Sequence, residues 1–340
     1  MTYSDITITP LLDTVKILDI SDEEYFSSKY KDYISNSRLK LINPSEGGTP
    51  ELFEKGLQSS YSDSFYFGSA VHELVLQPEA FELVNTVERP TAKMGAVGDY
   101  LFDHYYGEED ITINHAIKAS NALDYYKGKF TEDKFNNVLN KCSEYWATRK
   151  EWEQNNLKPN IVPIYMDNKS RNRLNGCLKN VSECKEIQDL LYPTGLFKSP
   201  KSLNEATILL DVLCVTPSKD EIILKLKGKL DNFTVNSEDS TITLNDLKTT
   251  GHCIEDFGKK SFYHFHYYRQ MGMYGWMLSI LNKHLYKFEK PTYKCNMLLV
   301  STIPPYNCGV YSVNGKQVKR GVDEFSDLLK RVAFYRLYGK

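Results

Sequence analysis

The sequence predicts an α/β or α+β fold in which extended strands are flanked by helices. Three stretches between residues 204 and 249 are rich in Ile, Leu, Val and Thr and are separated by short turn-forming segments. Apolar residues recur at helical spacing before and after these stretches. With 41% hydrophobic and 13% aromatic residues, the chain of 340 residues has enough apolar material for a buried core. We therefore expect strands and helices to pack around one core.

The predicted elements follow from periodicity and from the positions of turn residues. Strands are expected over Asn204 to Thr216, Glu221 to Val235, Ser240 to Thr249 and Met297 to Ser301. Helices are expected over Ile34 to Ile42, about 67–84, Asn114 to Leu139, Lys169 to Leu191, 256–282 and Asp323 to Leu337.

The domain organisation is predicted from changes in composition along the chain. Residues 1–33 are expected to be a variable N-terminal lead-in, and residues 34–340 a single domain. From about 90 to 195 the chain is polar, rich in Lys and Asn, and weakly periodic. We interpret that stretch as a helical insertion in the domain.

Charge and cysteine content narrow the class of protein. A net charge of −2 provides no global basic field, so any affinity for DNA must come from a local patch. The seven cysteines include no C-x-x-C pair, which argues against a disulfide framework, a zinc site or an iron–sulfur cluster. The first residues carry no basic stretch followed by an apolar run, so we expect no secretory signal, and no apolar run approaches the ~20 residues that span a bilayer. We expect a cytoplasmic protein with no membrane association and, lacking a phosphate-binding loop, no ATP motor.

Two neighbouring predicted strands carry charged side chains in a regular pattern. In the first, Lys225, Lys227, Lys229 and Asp231 share one face, and Gly228 on the other face would let a neighbour approach closely. A half-exposed hairpin with solvated lysines is the simpler interpretation of that strand alone.

The next strand places Asp246 and Lys248 on the same side as large apolar residues. Such charges are costly unless they are paired or coordinate something. An ion pair is one interpretation; the other is a metal ligand beside a lysine that holds or deprotonates a water. Hydrolysis of a phosphodiester needs this combination, because carboxylates can hold the Mg²⁺ that neutralises charge in the transition state.

Several motifs, taken in order, resemble one nuclease superfamily. Asp231 followed by Asp246-Leu-Lys248 resembles the PD-(D/E)XK signature. Gly68-Ser-Ala-Val-His72, Asp246-Leu-Lys-Thr-Thr250 and Gln270-Met-Gly-Met-Tyr274 resemble motifs of the RecE (exonuclease VIII) and YqaJ-like recombination exonucleases, and Ile34 to Leu39 resembles the segment that opens these domains. The resemblance covers about residues 34–300. The proline of the family name is missing before Asp231, and lysines stand where the family often has an arginine.

The resemblance implies a restriction-endonuclease-like core, with a central mixed β-sheet flanked by helices. It also implies a metal site for Mg²⁺, with Mn²⁺ as a substitute. The implied ligands are His72, Asp231, Asp246 and the backbone carbonyl of Leu247, with Glu205 as an additional acidic ligand. Lys248 would position the water.

The resemblance further assigns contacts to DNA. Gln270 would touch a DNA phosphate or the lysine of the metal site and Tyr274 would support it, although simple packing of this helix face is an equal alternative. Lys227 and Lys229 are the other predicted DNA contacts. The aromatic residues between 262 and 268 are expected to pack in the core, with one or two of them stacking on frayed bases as an alternative.

The function implied by the resemblance is a Mg²⁺-dependent exodeoxyribonuclease. It would act 5′→3′ on duplex DNA ends for recombination, as a homo-oligomeric ring, alongside a single-strand annealing protein. A phage or mobile element would be a natural source, which would place the protein in the host cytoplasm. The alternatives are an endonuclease or repair nuclease of the same superfamily, and a catalytically silent DNA-binding recombination scaffold. Closed circular DNA separates the first two activities, and Asp246→Ala separates an enzyme from a scaffold.

Overall fold

The computed structural model describes residues 2–56, 62–87, 92–107, 110–123, 125–126, 129–156, 161–193 and 201–339. The chain divides into two compact units, the first formed by Met1–Leu57 with Val181–Lys340 and the second by Gln58–Asn180. The second unit begins and ends earlier than the helical insertion predicted over about 90–195. The grouping of residues 34–340 into a single domain stays a prediction.

The strands and helices have the following bounds. The strands are β1 (Thr7–Pro10), β2 (Lys16–Leu18), β3 (Phe81–Thr86), β4 (Val162–Asp167), β5 (Lys201–Val215), β6 (Glu221–Asn236), β7 (Thr241–Thr250), β8 (Thr292–Ser301) and β9 (Cys308–Ser312). The helices are α1 (Asp22–Phe26), α2 (Asn36–Leu39), α3 (Pro50–Lys55), α4 (Asp63–Leu76), α5 (Ala92–Tyr105), α6 (Ile113–Ala122), α7 (Glu132–Asn156), α8 (Asn168–Glu183), α9 (Lys185–Leu191), α10 (Tyr267–Leu281) and α11 (Gly315–Tyr338). In the described part of the chain, no helix has both the length and the apolar character needed to cross a bilayer.

The first unit is built on a seven-stranded sheet, counted over the described residues. Its order is β1-β5-β6-β7-β8-β9, and β2 also pairs with β5. β7 and β8 are parallel, whereas the other neighbours are antiparallel. Helix α10 packs on β7 and β8. On the opposite face, the backbone oxygen of Leu190 in α9 accepts a hydrogen bond from Asn245. The prediction of an α/β fold with a central mixed sheet flanked by helices is confirmed.

The predicted strands agree closely with β5, β6 and β7, but several predicted helices are wrong in extent. The stretch 256–282 is not one helix. A π-helical turn at Gly258–Phe262 comes first, and His266 adopts a φ of 53° directly before α10. That left-handed conformation breaks the hydrogen-bond pattern of a continuous helix. The helix predicted over 67–84 ends at Leu76, two residues before Pro78. The chain then forms strand β3.

Other departures concern short elements. The lead-in predicted over residues 1–33 contributes β1 and β2 to the sheet, and β9 was not predicted at all. The helix predicted from Asn114 to Leu139 is two helices, α6 and α7, and the one predicted from Lys169 to Leu191 is also two, α8 and α9, because Cys184 between them is extended. At the opening segment, α2 is short and is capped by Ser35, whose side chain accepts a hydrogen bond from the backbone nitrogen of Arg38.

Helices α10 and α11 cross at a pair of glycines. A Cβ atom on Gly321 would lie 1.8 Å from the backbone oxygen of Tyr268, and one on Gly272 would lie 2.3 Å from the backbone carbon of Gly321. Only glycine therefore allows the two backbones to approach this closely. The crossing holds α10 in place, and α10 carries side chains of the candidate site.

The second unit has an apolar core of its own and a separate parallel pair of strands, β3 and β4. Its buried residues include Val97, Leu101, Tyr145 and Trp146. Arg149 lies over the ring of Phe102 and pairs with Glu153 at 2.8 Å, so a long cation covers part of this core.

Candidate active site

The site begins where two strands of the sheet separate. β6 and β7 pair from Asn236 with Thr241 up to Asn232 with Asn245, and the ladder ends there. The next residue on each strand is acidic, Asp231 on β6 and Asp246 on β7. The Asp231 carboxylate accepts a hydrogen bond from the backbone nitrogen of Leu247 at 2.7 Å, in place of a ladder partner. Two carboxylates therefore lie at the fork between the strands.

Asp246 is completely buried and is held on both oxygens. Its Oδ2 lies 2.6 Å from the ammonium of Lys248, and its Oδ1 accepts a hydrogen bond from Gln270 Nε2 at 3.0 Å. Burial disfavours the charge of Lys248, but the fields of Asp246 and Asp231 outweigh it and raise the pKa of the ammonium above its ordinary value. Lys248 is therefore held in its charged form near neutral pH and can position a water or a phosphate oxygen.

Glu205 on β5 stands opposite Asp231. The β5–β6 ladder pairs Asn204 with Asn232 and Ala206 with Leu230, but skips the intervening pair. Glu205 adopts a φ of 51°, a left-handed conformation that costs a non-glycine residue about 1–3 kcal/mol and that tends to occur at functional sites. Its carboxylate and that of Asp231 have oxygens within 4.8 Å of each other.

The electrostatics of this acidic pair favour a bound cation. Burial and the charge of Asp231 raise the pKa of Glu205 to about 7, although Lys229 at 2.9 Å opposes the shift. Burial also raises the pKa of Asp231, against the opposing effects of Lys248 and the Leu247 amide. Both carboxyl groups are thus disfavoured in their charged forms, and a divalent ion would relieve that cost.

The donor set at this position fits a hard divalent metal ion. Asp231 and Glu205 offer carboxylate oxygens, the donor type that Mg²⁺ and Mn²⁺ prefer. Asp246 adds a third carboxylate, the same type of donor. The Leu247 carbonyl faces the Lys248 ammonium at 3.3 Å. His72 lies on α4 in the second unit, and its assignment as a ligand stays a prediction.

A second group of potential metal ligands already forms ion pairs with a cationic side chain of the protein. Glu46, His266 and Glu324 have ligand atoms within 4.8 Å of one another. The guanidinium of Arg269, whose side chain is only 3% exposed, donates to both glutamates, to Glu324 at 2.9 Å. Arg269 also donates to the Asn36 side chain at 3.0 Å. The group therefore fixes the start of α10, directly before Gln270.

Gln270 and Tyr274 lie on one face of α10, as their spacing predicted. Gln270 contacts the acidic residue Asp246, not the lysine, and it also hydrogen-bonds to Tyr274. Burial raises the pKa of the Tyr274 hydroxyl well above its ordinary value. Its ring packs over Gly228, where a Cβ atom would lie 3.0 Å from Tyr274 Cε1. The neighbour that Gly228 admits is therefore this ring.

A row of hydrogen-bonded amides crosses the sheet one residue away from the carboxylates. Asn232 donates to the Asn204 side chain at 2.7 Å, Asn245 donates to Asn232 at 2.8 Å, and Asn296 donates to Asn245 at 3.1 Å. Ser312 extends the row by donating to Asn296 at 3.2 Å. Because side chains alternate along strands, this amide row lies on the opposite face from Asp231 and Asp246. It fixes the register that places the two carboxylates at one level.

The amide row was not among the sequence-based predictions, although the residues carry a signal for it. Asn232 follows Asp231, Asn245 precedes Asp246, and both asparagines are fully buried within strands rich in apolar residues. Burying an amide costs free energy of folding unless the amide is hydrogen-bonded. Paired asparagines beside paired carboxylates therefore indicate a connected polar network.

We expect Asn245→Ala to lower both stability and cleavage. It removes the donor to Asn232 and the acceptor of Asn296, and each buried group left without its partner costs about 1–3 kcal/mol. A matched control is Asn282→Ala, because Asn282 is also buried and bonds the backbone of Phe288, beyond the far end of α10. Urea unfolding should show a loss for both variants, whereas DNA cleavage by folded protein should fall only for Asn245→Ala. Equal cleavage by the two variants would contradict a positioning role.

The lysines of β6 do not form a uniformly solvated row. Lys225 is exposed, but the Lys227 ammonium is buried, donates to the backbone oxygen of Tyr25 at 2.7 Å and lies over the Tyr25 ring. Lys229 is paired with Glu205 and with Asp22. Contacts of Lys227 and Lys229 with DNA stay predictions. For Lys227, burial argues against a contact with DNA, because its ammonium already has protein partners.

The burial of Lys227 should make the stability of the protein depend on pH. Burial and the nearby Arg38 lower the pKa of Lys227 to about 8, whereas the unfolded chain keeps this proton up to its ordinary pKa of about 10.4. Between these values the unfolded state binds more protons, so stability rises with pH, on the order of 1 kcal/mol from this residue. The free energy of unfolding should rise less steeply between about pH 8 and 10 in Lys227→Met than in the wild type. The exposed Lys225→Met serves as control and should leave the slope unchanged.

Comparison with known proteins gives a distant structural likeness. No protein family matches the sequence, and no curated protein matches it. Among solved structures, the chain is similar to the crystal structure of a provisionally assigned exonuclease from Eubacterium rectale. The sequence identity is 10%, the match covers 93% of this chain and 86% of that chain, and the TM-score is 0.46. At this distance the likeness does not decide an activity, which must be inferred from this chain's own residues.

Proposed function

We propose that this protein is a metal-dependent nuclease that hydrolyses phosphodiester bonds of DNA. The observation that carries the proposal is the fork between β6 and β7, where Asp231 and Asp246 lie beside the protonated Lys248. Carboxylate oxygens would hold the cation, and a buried ammonium next to them would bind an anionic group or a polarised water. These are the elements that hydrolysis of a phosphodiester requires.

Each residue of the site has a definable task in this proposal. Asp231, Asp246, Glu205 and the Leu247 carbonyl would hold Mg²⁺, or Mn²⁺ in its place, and His72 is the proposed ligand from the second unit. The metal ion would supply Lewis acidity toward the phosphate and lower the pKa of a bound water. Lys248 would orient the water or stabilise charge on the phosphate. Gln270 and Tyr274 would hold Asp246 in position.

The finer assignment follows the sequence resemblance to RecE and YqaJ-like nucleases of the PD-(D/E)XK superfamily. It proposes a 5′→3′ exonuclease that acts on duplex ends in recombination, working as a ring and together with a single-strand annealing protein. Two alternatives predict different products: an endonuclease would also cut DNA without ends, and a silent scaffold would cut none.

The decisive experiment is digestion of linear duplex DNA labelled separately at each 5′ and 3′ end, with closed circular DNA in parallel. A 5′→3′ exonuclease should release the 5′ label first as short products and leave the circle intact, in Mg²⁺ or Mn²⁺ and not in EDTA. Cutting of the circle would replace the exonuclease assignment with an endonuclease. A complete lack of cleavage of either substrate, with either metal, would refute the nuclease proposal.

A further inference from the structure

Aromatic rings lead from the candidate site to the protein surface. The Lys248 ammonium lies 5.5 Å from the centroid of the Tyr267 ring. The Tyr267 ring also stacks on the buried ring of Phe257, with the centroids 5.7 Å apart and the ring planes at 8°. It contacts the Phe265 ring as well, at a centroid distance of 5.7 Å and an angle of 46° between the planes. The connected side chains therefore begin at the Lys248 ammonium, which would face a phosphate, and end at the Phe265 ring.

Phe265 is unusually open to solvent for a ring that belongs to a packed aromatic cluster. It is 56% exposed, whereas Phe257 and Phe262 in the same segment are buried. Its backbone is fixed by a hydrogen bond to Ser261, and the His264 ring meets it edge-on at 4.7 Å. The ring is thus held in place by its neighbours while much of its surface remains available to a ligand.

We propose that Phe265, supported by Tyr267, stacks on an unpaired nucleobase next to the phosphate that the site holds. This inference rests on the proposed nuclease function and adds to it a contact with the base. A base attached to a phosphate near Lys248 has a flat apolar face and is tethered close to these rings. Stacking of this kind tolerates any base, since every base presents a π-face. It would hold the end of the substrate strand apart from its complement.

The neighbouring charges are compatible with a nucleic-acid strand. Lys259 and His264 are exposed in the same segment, and Lys260 pairs with Asp256 at 2.7 Å. Phe265, even together with the exposed ring of Tyr263 in the same segment, is too small a patch to bind a folded protein partner by itself. A short single strand needs only such a platform and a site for its phosphate.

The test measures binding of a short single-stranded oligonucleotide that contains 2-aminopurine, with Ca²⁺ in place of Mg²⁺. Stacking on Phe265 should quench the 2-aminopurine emission in the wild type. Phe265→Ala should abolish the quench and weaken binding by about fivefold or more. Phe265→Trp should restore both properties. Leu285→Ala is the matched control, because Leu285 is 54% exposed beyond the opposite end of α10, and it should behave as the wild type.

The outcomes separate this inference from the proposed function. Wild-type binding without a quench, an absence of binding, or equal binding and quench in Phe265→Ala would each overturn the stacking contact. If the wild type nevertheless digests DNA in Mg²⁺, the nuclease proposal stands without it. A quench that depends on Phe265, in a protein that cleaves no DNA with Mg²⁺ or Mn²⁺, would support the stacking contact and refute the nuclease.

Discussion

Asp246→Asn should reduce Mg²⁺-dependent DNA cleavage by about a thousandfold or more, because metal-ion catalysis contributes several kcal/mol of stabilisation to the transition state. The substitution keeps the shape of the side chain and an oxygen that can accept from Gln270 Nε2. It removes the charge that lies 2.6 Å from the Lys248 ammonium and that would hold the metal ion. Initial rates of cleavage of a labelled duplex, at saturating Mg²⁺, measure the effect.

The control for this variant is Asp323→Asn, an exposed aspartate on α11 that pairs with Lys319. It loses one negative charge as well, but it should cleave at the wild-type rate, since exposed ion pairs contribute little. Thermal unfolding of each protein establishes that it is folded. An Asp246→Asn protein that is folded and cleaves within a few fold of the wild type would exclude the fork as the active site.

Gly321→Ala should destabilise the protein by about 3 kcal/mol or more, which is near the upper end for a substitution that overfills a packed contact. The added Cβ would lie 1.8 Å from the backbone oxygen of Tyr268. A backbone atom cannot turn aside as a flexible side chain can, so α10 and α11 would have to move apart. Chemical denaturation at equilibrium measures the loss.

Gly275→Ala is a matched control from the crossing helix α10. A Cβ at Gly275 would meet its nearest neighbours at 3.8 Å, an ordinary contact. Alanine is favoured over glycine within a helix by roughly 0.5–1 kcal/mol, so this variant should be as stable as the wild type or slightly more stable. Equal stability of the two variants would contradict the close crossing of α10 and α11.

The crossing also has a consequence for the site. Gln270 and Tyr274 lie on α10 on either side of Gly272. Gln270 reaches Asp246, and Tyr274 hydrogen-bonds to Gln270, only if that helix keeps its place. Any Gly321→Ala protein that remains folded should therefore also show slower cleavage. Gly275→Ala should not.

Local patterns were sufficient to predict the hairpin strands. β5, β6 and β7 have strong two-residue alternation and are bounded by turn residues, and the predicted limits differ from the observed ones by a few residues. The same alternation predicted that Asp246 and Lys248 share a face, and they form an ion pair. It could not tell the buried Lys227 from the exposed Lys225, because burial depends on Tyr25, which comes from a segment far away in the chain.

The break before α10 illustrates a second limit. Apolar and aromatic residues run through 256–282 without a proline, so periodicity alone favours one helix. His266 nevertheless adopts a left-handed φ, and its side chain contacts Glu324 of α11. The strained conformation is offset by contacts with an element that lies far away in the sequence.

By itself, the sequence determined the mixed α/β class, the three central strands and the identity of the charged residues near their ends, because side-chain alternation and turn formation are local properties of the chain. Only the tertiary structure decided the fork between β6 and β7, the amide row that aligns Asp231 with Asp246, and the close crossing of the last two helices. Those features depend on register and on packing between distant segments. Their free energies come from contacts between segments that lie far apart in the chain.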